Sequence, residues 1–472
     1  MGFSYGLAVV LVIFEGIMIQ CEGAGGAGGA LSSKQRLDAP VFMPIELIEE
    51  IISKTDFETI QQTVKSGIVH APESVMTRKL QNCIIFINPR EFNGEIHEYY
   101  YFGDSFLNFG SYQRFESFFK KFGDQVKKIE YWYSYSAICN EINENIIKKY
   151  AKNLEELRID TLDDEGFWED LSNEGIDIIF PEVKKFRIDG YSSRNELKLN
   201  LIFPKLESLQ LMARVDDANC LANVKKLKEL RLDTCSIKED QLEDIFANNK
   251  NMIRIHLYMP DKAETMQSIA KYLTNLKTLE VEKPGQNFLF QTNNNPICEL
   301  PSVIHLQIQF HKMYEALGVG NLSFDMPHLK KLTLNGDQAD DRIISFIDHF
   351  KELEIVELLV ENYNGVKCIE KLKHIKEFTT TFYKNGFVSV ENMFKNFDKK
   401  SKLQTLKFVH FEYIFSCRNY EKTMKEINED KMREINIYLE KSKKPTWTLS
   451  HGEQTETDKK YLMFKREPDC RK

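Results

Sequence analysis

The chain has 472 residues, 63 Lys and Arg against 71 Asp and Glu, and a formal net charge of −8. That acidity argues against nucleic acid as a main partner, because holding phosphates takes a basic field. The length and the 42% of hydrophobic residues suffice for a large core, while nine dispersed cysteines without C-x-x-C pairs suit a reducing compartment better than a disulfide framework.

Residues 1–30 point the other way. An apolar run over 7–14 is broken by Glu15, resumes at Ile17-Met18-Ile19, and gives way to a Gly/Ala stretch over 23–30. That order is similar to a secretory signal, although no Lys or Arg precedes Lys34. The run is too short and too broken to span a bilayer, so no membrane span is expected in the mature chain. Two compartments therefore stay open, cytoplasm or nucleus on the cysteine usage and secretion on the leader-like segment.

The next segment, 40–80, reads as two helices. Pro44 suits a first helical position, and Leu47, Ile48, Ile51 and Ile52 form one apolar stripe. Thr55-x-x-Glu58 has the spacing of a capping box and opens a second helix with Phe57, Ile60 and Val64 on one side. The string Met43-Pro44-Ile45-Glu46-Leu47-Ile48-Glu49-Glu50-Ile51 resembles the opening of an F-box, L-P-x-E-L-L-x-x-I. The match covers about Phe42–Ser66 and is degenerate toward its end, with Lys65, Gly67 and Ile68 where the family carries Cys and Trp. The resemblance implies a small helical domain docking on a Skp-type adaptor through Pro44, Leu47, Ile48 and Ile51.

Residues 81–125 read as a cap and linker, with a strand over 83–87 and a helix over 112–122 carrying Phe115, Phe118, Phe119 and Phe122. From 126 to 440 one pattern returns. Leu227-x-x-Leu230-x-Leu232 has counterparts beginning at Val126, Leu154, Val183, Leu206, Met252, Leu276, Val303, Leu329, Leu353, Ile375, Leu403 and Met432. The copies start about 21 to 29 residues apart, the period of a leucine-rich repeat, which the segment resembles. A strand with one apolar edge cannot bury itself, so such units stack and share a core. Between the motifs, 241–248, 266–274, 340–350 and 390–397 show helical apolar spacing, the first behind a capping box at Ser236-x-x-Glu239. The expected fold is α/β, a leucine-rich-repeat solenoid with parallel strands concave and helices convex, preceded by the F-box-like helices. Residues 441–472 would close it as a two-strand cap, over 446–451 and 460–465, and a tail.

Between the motif leucines, alternate residues face outward. One row reads Glu130, Arg158, Arg187, Gln210, Arg231, His256, and its neighbour Trp132, Asp160, Asp189, Met212, Asp233, Tyr258. Two readings fit: a charged, aromatic-anchored surface for a protein partner, or Arg and Asp neutralising one another to keep the sheet soluble. From Thr278 onward the row is more neutral, so the earlier repeats are the better place for a partner.

Nothing in the sequence carries catalysis. Gly23-Ala24-Gly25-Gly26-Ala27-Gly28 satisfies G-x-G-x-x-G in a low-complexity setting without the flanking strand and helix that a dinucleotide needs. The ten histidines lie apart, and Asp163-Asp164-Glu165 lacks the alternating spacing of a calcium loop. No cofactor and no metal site is expected. The expected function is non-catalytic: the F-box and leucine-rich-repeat resemblances together imply the substrate-recognition subunit of a cullin–RING ubiquitin ligase. The alternative is a secreted leucine-rich-repeat protein binding an extracellular protein or glycan.

Overall fold

The computed structural model describes residues 84–92, 95–102, 105–107, 112–132, 145–160, 180–193, 198–215, 221, 223–233, 237–291, 297–310, 321–336, 340–360, 371–381, 402–411, 429–441, 446–454 and 459–466. The F-box-like residues Pro44, Leu47, Ile48 and Ile51, the leader-like segment and the predicted helix over 390–397 lie outside them. The chain divides into two units, Met1–Tyr191 with Leu201–Lys205, and Ser192–Asn200 with Leu206–Lys472.

In the first unit, β1 (Ile84–Phe92) and β2 (Glu95–Phe102) form an antiparallel hairpin, and β3 (Ser105–Leu107) adds to β2. The sequence pattern shows the start of β1 but not the hairpin, although Asn93-Gly94 between the strands is a strong two-residue turn signal. After helix α1 (Tyr112–Phe122) come β4 (Lys128–Trp132), β5 (Glu156–Asp160) and β6 (Lys185–Ser193). They run parallel in that order, and β1 pairs with β4, also parallel. Phe115 and Phe119 of α1 are buried, while Phe118 and Phe122 are only half-buried. Gly123, just after α1, is required: a Cβ there would lie 2.6 Å from the Tyr150 carbonyl oxygen.

The second unit continues the recurring strand. It holds β7 (Ser208–Val215), β8 (Glu229–Leu232), β9 (Arg254–Tyr258), β10 (Thr278–Glu282), the two-residue β11 (Cys298–Glu299), β12 (His305–Gln309), the two-residue β13 (Phe324–Asp325), β14 (Lys331–Gly336), β15 (Ile355–Val360), β16 (Glu377–Thr381) and β17 (Thr405–Phe411). Apart from β11 and β13, which pair with each other, successive strands from β7 to β17 are parallel neighbours. Parallel neighbours need crossovers. Among the described residues, three of these contain helices of eight residues or more: α2 (Glu239–Asn248), α3 (Ala263–Tyr272) and α4 (Arg342–His349). The crossovers after β10 and β12 instead carry a four-residue helix, Gln286–Leu289, and the β11–β13 pair.

The repeat is written in the backbone as well as in the side chains. In many of the motifs the first apolar residue donates its N–H to the carbonyl three residues back, as Leu154 to Ala151, Met252 to Asn249, Leu276 to Leu273 and Leu329 to Met326. That closes a tight turn before the strand. One carbonyl of the preceding repeat then accepts two successive N–H groups: Ile253 from Lys277 and Thr278, Lys277 from Ile304 and His305, Ile304 from Lys330 and Lys331. The fourth and sixth motif residues stack in register, as in Ile255–Leu279–Leu306–Leu332–Val356 and Leu257–Val281–Ile308–Leu334–Leu358, all buried. Buried Asn249 ties repeats together by accepting from Leu227 N–H and donating to the carbonyls of Val224 and Ile245.

Two expectations are corrected. Helix α2 is opened by Lys238 rather than Ser236; its backbone N–H donates to the Gln241 side chain at 3.3 Å. The motif beginning at Met432 is not a strand but part of helix α5 (Glu429–Lys441). Met432, Ile435 and Leu439 are buried at helical spacing while Ile437 stays 48% exposed. The place beside β17 goes to β19 (Lys459–Arg466), antiparallel to it and to β18 (Trp447–Gln454), so the predicted C-terminal strand pair is present. The fold is α/β with a large, mostly parallel sheet built from a repeating strand. No helix among the described residues is long and apolar enough to cross a membrane. Cys298 is buried, and that burial pushes its thiol pKa up.

Candidate functional site

The alternate residues of the strands fall in the predicted rows. In the first unit, Glu130, Arg158 and Arg187 are in register across β4, β5 and β6, with Trp132, Asp160 and Asp189 beside them. The charges pair within the face. Arg158 bridges Glu130 at 3.1 Å and Asp189 at 3.0 Å, and Arg187 also grips Asp189, at 2.9 Å. Trp132 is 42% exposed and donates its indole N–H to Glu130 at 2.8 Å, which fixes the ring as an amphipathic edge. Asp160 has no ion pair among the described residues. Burial and the nearby Asp189 push its carboxyl above the ordinary value, against the pull of Arg158 and Arg187.

In the second unit, Gln210, Arg231, His256, Glu280, Gln307, Thr333 and Glu357 are in register. Met212 lies half-buried on β7, and Tyr258 half-buried on β9. Arg231 holds Asp233, Nη2 to Oδ2 at 3.1 Å. His256 sits between two carboxylates, with Nδ1 3.3 Å from Glu280 Oε2 and Nε2 3.0 Å from Asp233 Oδ1. Arg254 secures Glu280 from the other side, Nε donating to Oε1 at 2.8 Å. Lys283 donates to the Tyr258 hydroxyl at 2.8 Å and stands 3.8 Å from Glu282.

Burial and charge compete here. Burial alone would lower the His256 pKa, but Asp233 and Glu280 outweigh it and raise it. Burial alone would raise the Asp233 and Glu280 carboxyls, yet His256 with Arg231 lowers the first, and His256 with Arg254 lowers the second. The backbone is unusual at the strand exits: Met259 and Lys283, each following a strand, have φ of 50°. Such left-handed conformations cost a non-glycine residue energy and persist where surrounding bonds hold them. Met259 N–H donates to Glu282 O at 2.7 Å, and Lys283 N–H to Gln309 O at 2.6 Å.

Trp132, Arg158, Asp160, Arg187, Asp189, Met212, Arg231, Asp233, His256 and Tyr258 thus occupy the alternate positions that the sequence assigns to the two rows, and of these His256 is buried. The sequence pattern missed Arg254, Glu282 and Lys283, and treated Glu280 as part of a neutral stretch. Register could have found Glu280 and Glu282, which pair with His256 and Tyr258 of the preceding repeat, while Arg254 lies two residues before His256 and Lys283 directly follows Glu282.

No family model and no curated protein matches the chain. Among solved structures, a structural-genomics crystal structure of a protein from Bacteroides fragilis is similar at 12% identity and a TM-score of 0.24. The match covers 68% of this chain and 96% of that one, and carries no argument about fold or function.

Proposed function

We propose that the chain is a leucine-rich-repeat receptor that binds a protein partner on its strand face and does no chemistry itself. The supporting observation is a division of labour along the repeats. The motif aliphatics are buried in register, while the alternate positions present Trp132, Met212, Tyr258 and paired charges outward. Aromatic anchors among mutually satisfied charges are the composition of a protein-binding surface. The F-box resemblance at 43–51, directly ahead of the repeats, extends the proposal: the receptor presents its partner to a cullin–RING ubiquitin ligase through a Skp-type adaptor.

The test mixes the full chain with purified Skp-type adaptor and measures complex formation by size-exclusion chromatography. A complex with the wild type that is lost on replacing Pro44, Leu47 and Ile51 by Ala supports the proposal. No complex with the intact segment removes the ligase role and leaves the partner-binding role to stand alone. The leader-like segment favours a second reading, a secreted receptor for an extracellular protein or glycan; it requires a mature chain that starts near Gly23.

A further inference from the structure

The geometry points to a divalent metal-ion site of the zinc class, formed by Asp233 and Glu282 at the exits of β8 and β10 and by His256 on β9 between them. Asp233 directly follows β8, His256 is on β9 and Glu282 ends β10. One donor atom from each lies within 4.8 Å of the others. His256 Nε2 is the centre of the group, 3.0 Å from Asp233 Oδ1 and 4.0 Å from Glu282 Oε2.

A cluster of charges is often no more than an ion-pair network. The imidazole distinguishes this one. His256 is only 6% exposed, and its Nε2, although 3.0 Å from Asp233 Oδ1, makes no hydrogen bond. A buried ring nitrogen that faces a carboxylate without a hydrogen bond calls for an explanation. Its other nitrogen is engaged by Glu280, which Arg254 anchors in turn. A carboxylate on Nδ1–H fixes the tautomer, leaves the Nε2 lone pair available and raises its basicity, the usual support behind a metal-ligating histidine.

The two ligand carboxylates are presented in the same sense. Arg231 donates its closest hydrogen bond to Asp233 Oδ2, with a longer one from Nε to Oδ1 at 3.4 Å, and Lys283 stands by Glu282 Oε1. Oδ1 and Oε2 are the oxygens nearest Nε2. Donors about 2.1 Å from a tetrahedral ion lie about 3.4 Å apart, so a small rotation of the Glu282 side chain closes the site. One imidazole and two carboxylates suit zinc, manganese or cobalt better than magnesium or calcium, which take oxygen donors. The site is independent of the receptor reading above.

Isothermal titration of the metal-stripped full chain with Zn2+, repeated with Mg2+, tests the proposal. Wild type should take up Zn2+ and show a raised melting temperature, with no comparable response to Mg2+. His256→Gln and Glu282→Gln should each weaken this Zn2+ affinity by on the order of 100-fold, and Glu280→Gln by roughly 10- to 100-fold. Cobalt-loaded wild type should show ligand-field bands that Glu282→Gln changes. Zn2+ binding that is absent, or unaltered in Glu282→Gln, overturns the assignment. Glu282 is partly exposed, so this variant remains decisive even where His256→Gln fails to fold.

Discussion

Replacing Leu279 with Ala should be far more costly than replacing its outward neighbours. Leu279 is 0% exposed and stacks between Ile255 and Leu306 in the shared core. The substitution removes about three carbon groups, worth roughly 2.4 kcal/mol at about 0.8 kcal/mol each. Flanking residues held in register by the strand ladder cannot collapse fully into the gap, so a cavity penalty brings the cost to about 3–5 kcal/mol. Gln307→Ala, in the outward row of β12, should stay within about 0.5 kcal/mol of wild type. Urea unfolding followed by far-UV circular dichroism measures both. In a stacked array the loss propagates through neighbouring interfaces, so hydrogen exchange should rise first in β9, β10 and β12. Equal costs for the two substitutions would refute the shared core.

Asn249→Ala should destabilise by roughly 2–3 kcal/mol, because it orphans the buried Leu227 N–H and the Val224 and Ile245 carbonyls; the same urea titration reads it. Asp160→Asn should stabilise the fold at neutral pH. The folded-state pKa of Asp160 is raised, so its charge destabilises above that value, and the penalty fades as pH falls through the folded pKa to the unfolded one. The gain measured by thermal melting should therefore shrink toward about pH 3, and a gain independent of pH would contradict this cause. His305 is the reverse case: burial, aided by Lys331, lowers its pKa, so its contribution to stability is lost as pH falls below about 6.5, and His305→Gln should flatten that acid-side loss. N-terminal sequencing of protein from its native source separates the compartments: a start near Gly23 selects the secreted reading, and retention of the leader-like segment the intracellular one.

The repeating strand was legible because its requirement is local. Three inward positions at fixed spacing are almost all apolar wherever a unit stacks, and Leu276, Leu279 and Val281 satisfy that within six residues. The same rule misread Met432, Ile435 and Ile437, since apolar residues three apart serve a helix as well as this motif, and only Leu439, a further turn on, tips the balance. The capping box at Ser236 failed for a similar reason: Gln241 offers a competing side-chain acceptor to a later N–H. The His256 cluster was invisible to motif search. Asp233, His256 and Glu282 come from three repeats, and the strand register alone, not chain proximity, brings them together. The outward Arg and Asp residues were read correctly by position, but position does not show that Asp189 serves both Arg158 and Arg187.

Partner binding requires the outward strand residues to be the surface that meets another protein. Benzoylphenylalanine placed at Met212 and at Tyr258, with Ile437 and Tyr438 on α5 as comparison, reads this directly after photolysis in cells and mass spectrometry of the adducts. One recurring protein adduct is expected from Met212 and Tyr258, and it should be missing from Ile437 and Tyr438. Adducts confined to the helix positions, or the same from all four, would contradict a receptor face on the strands.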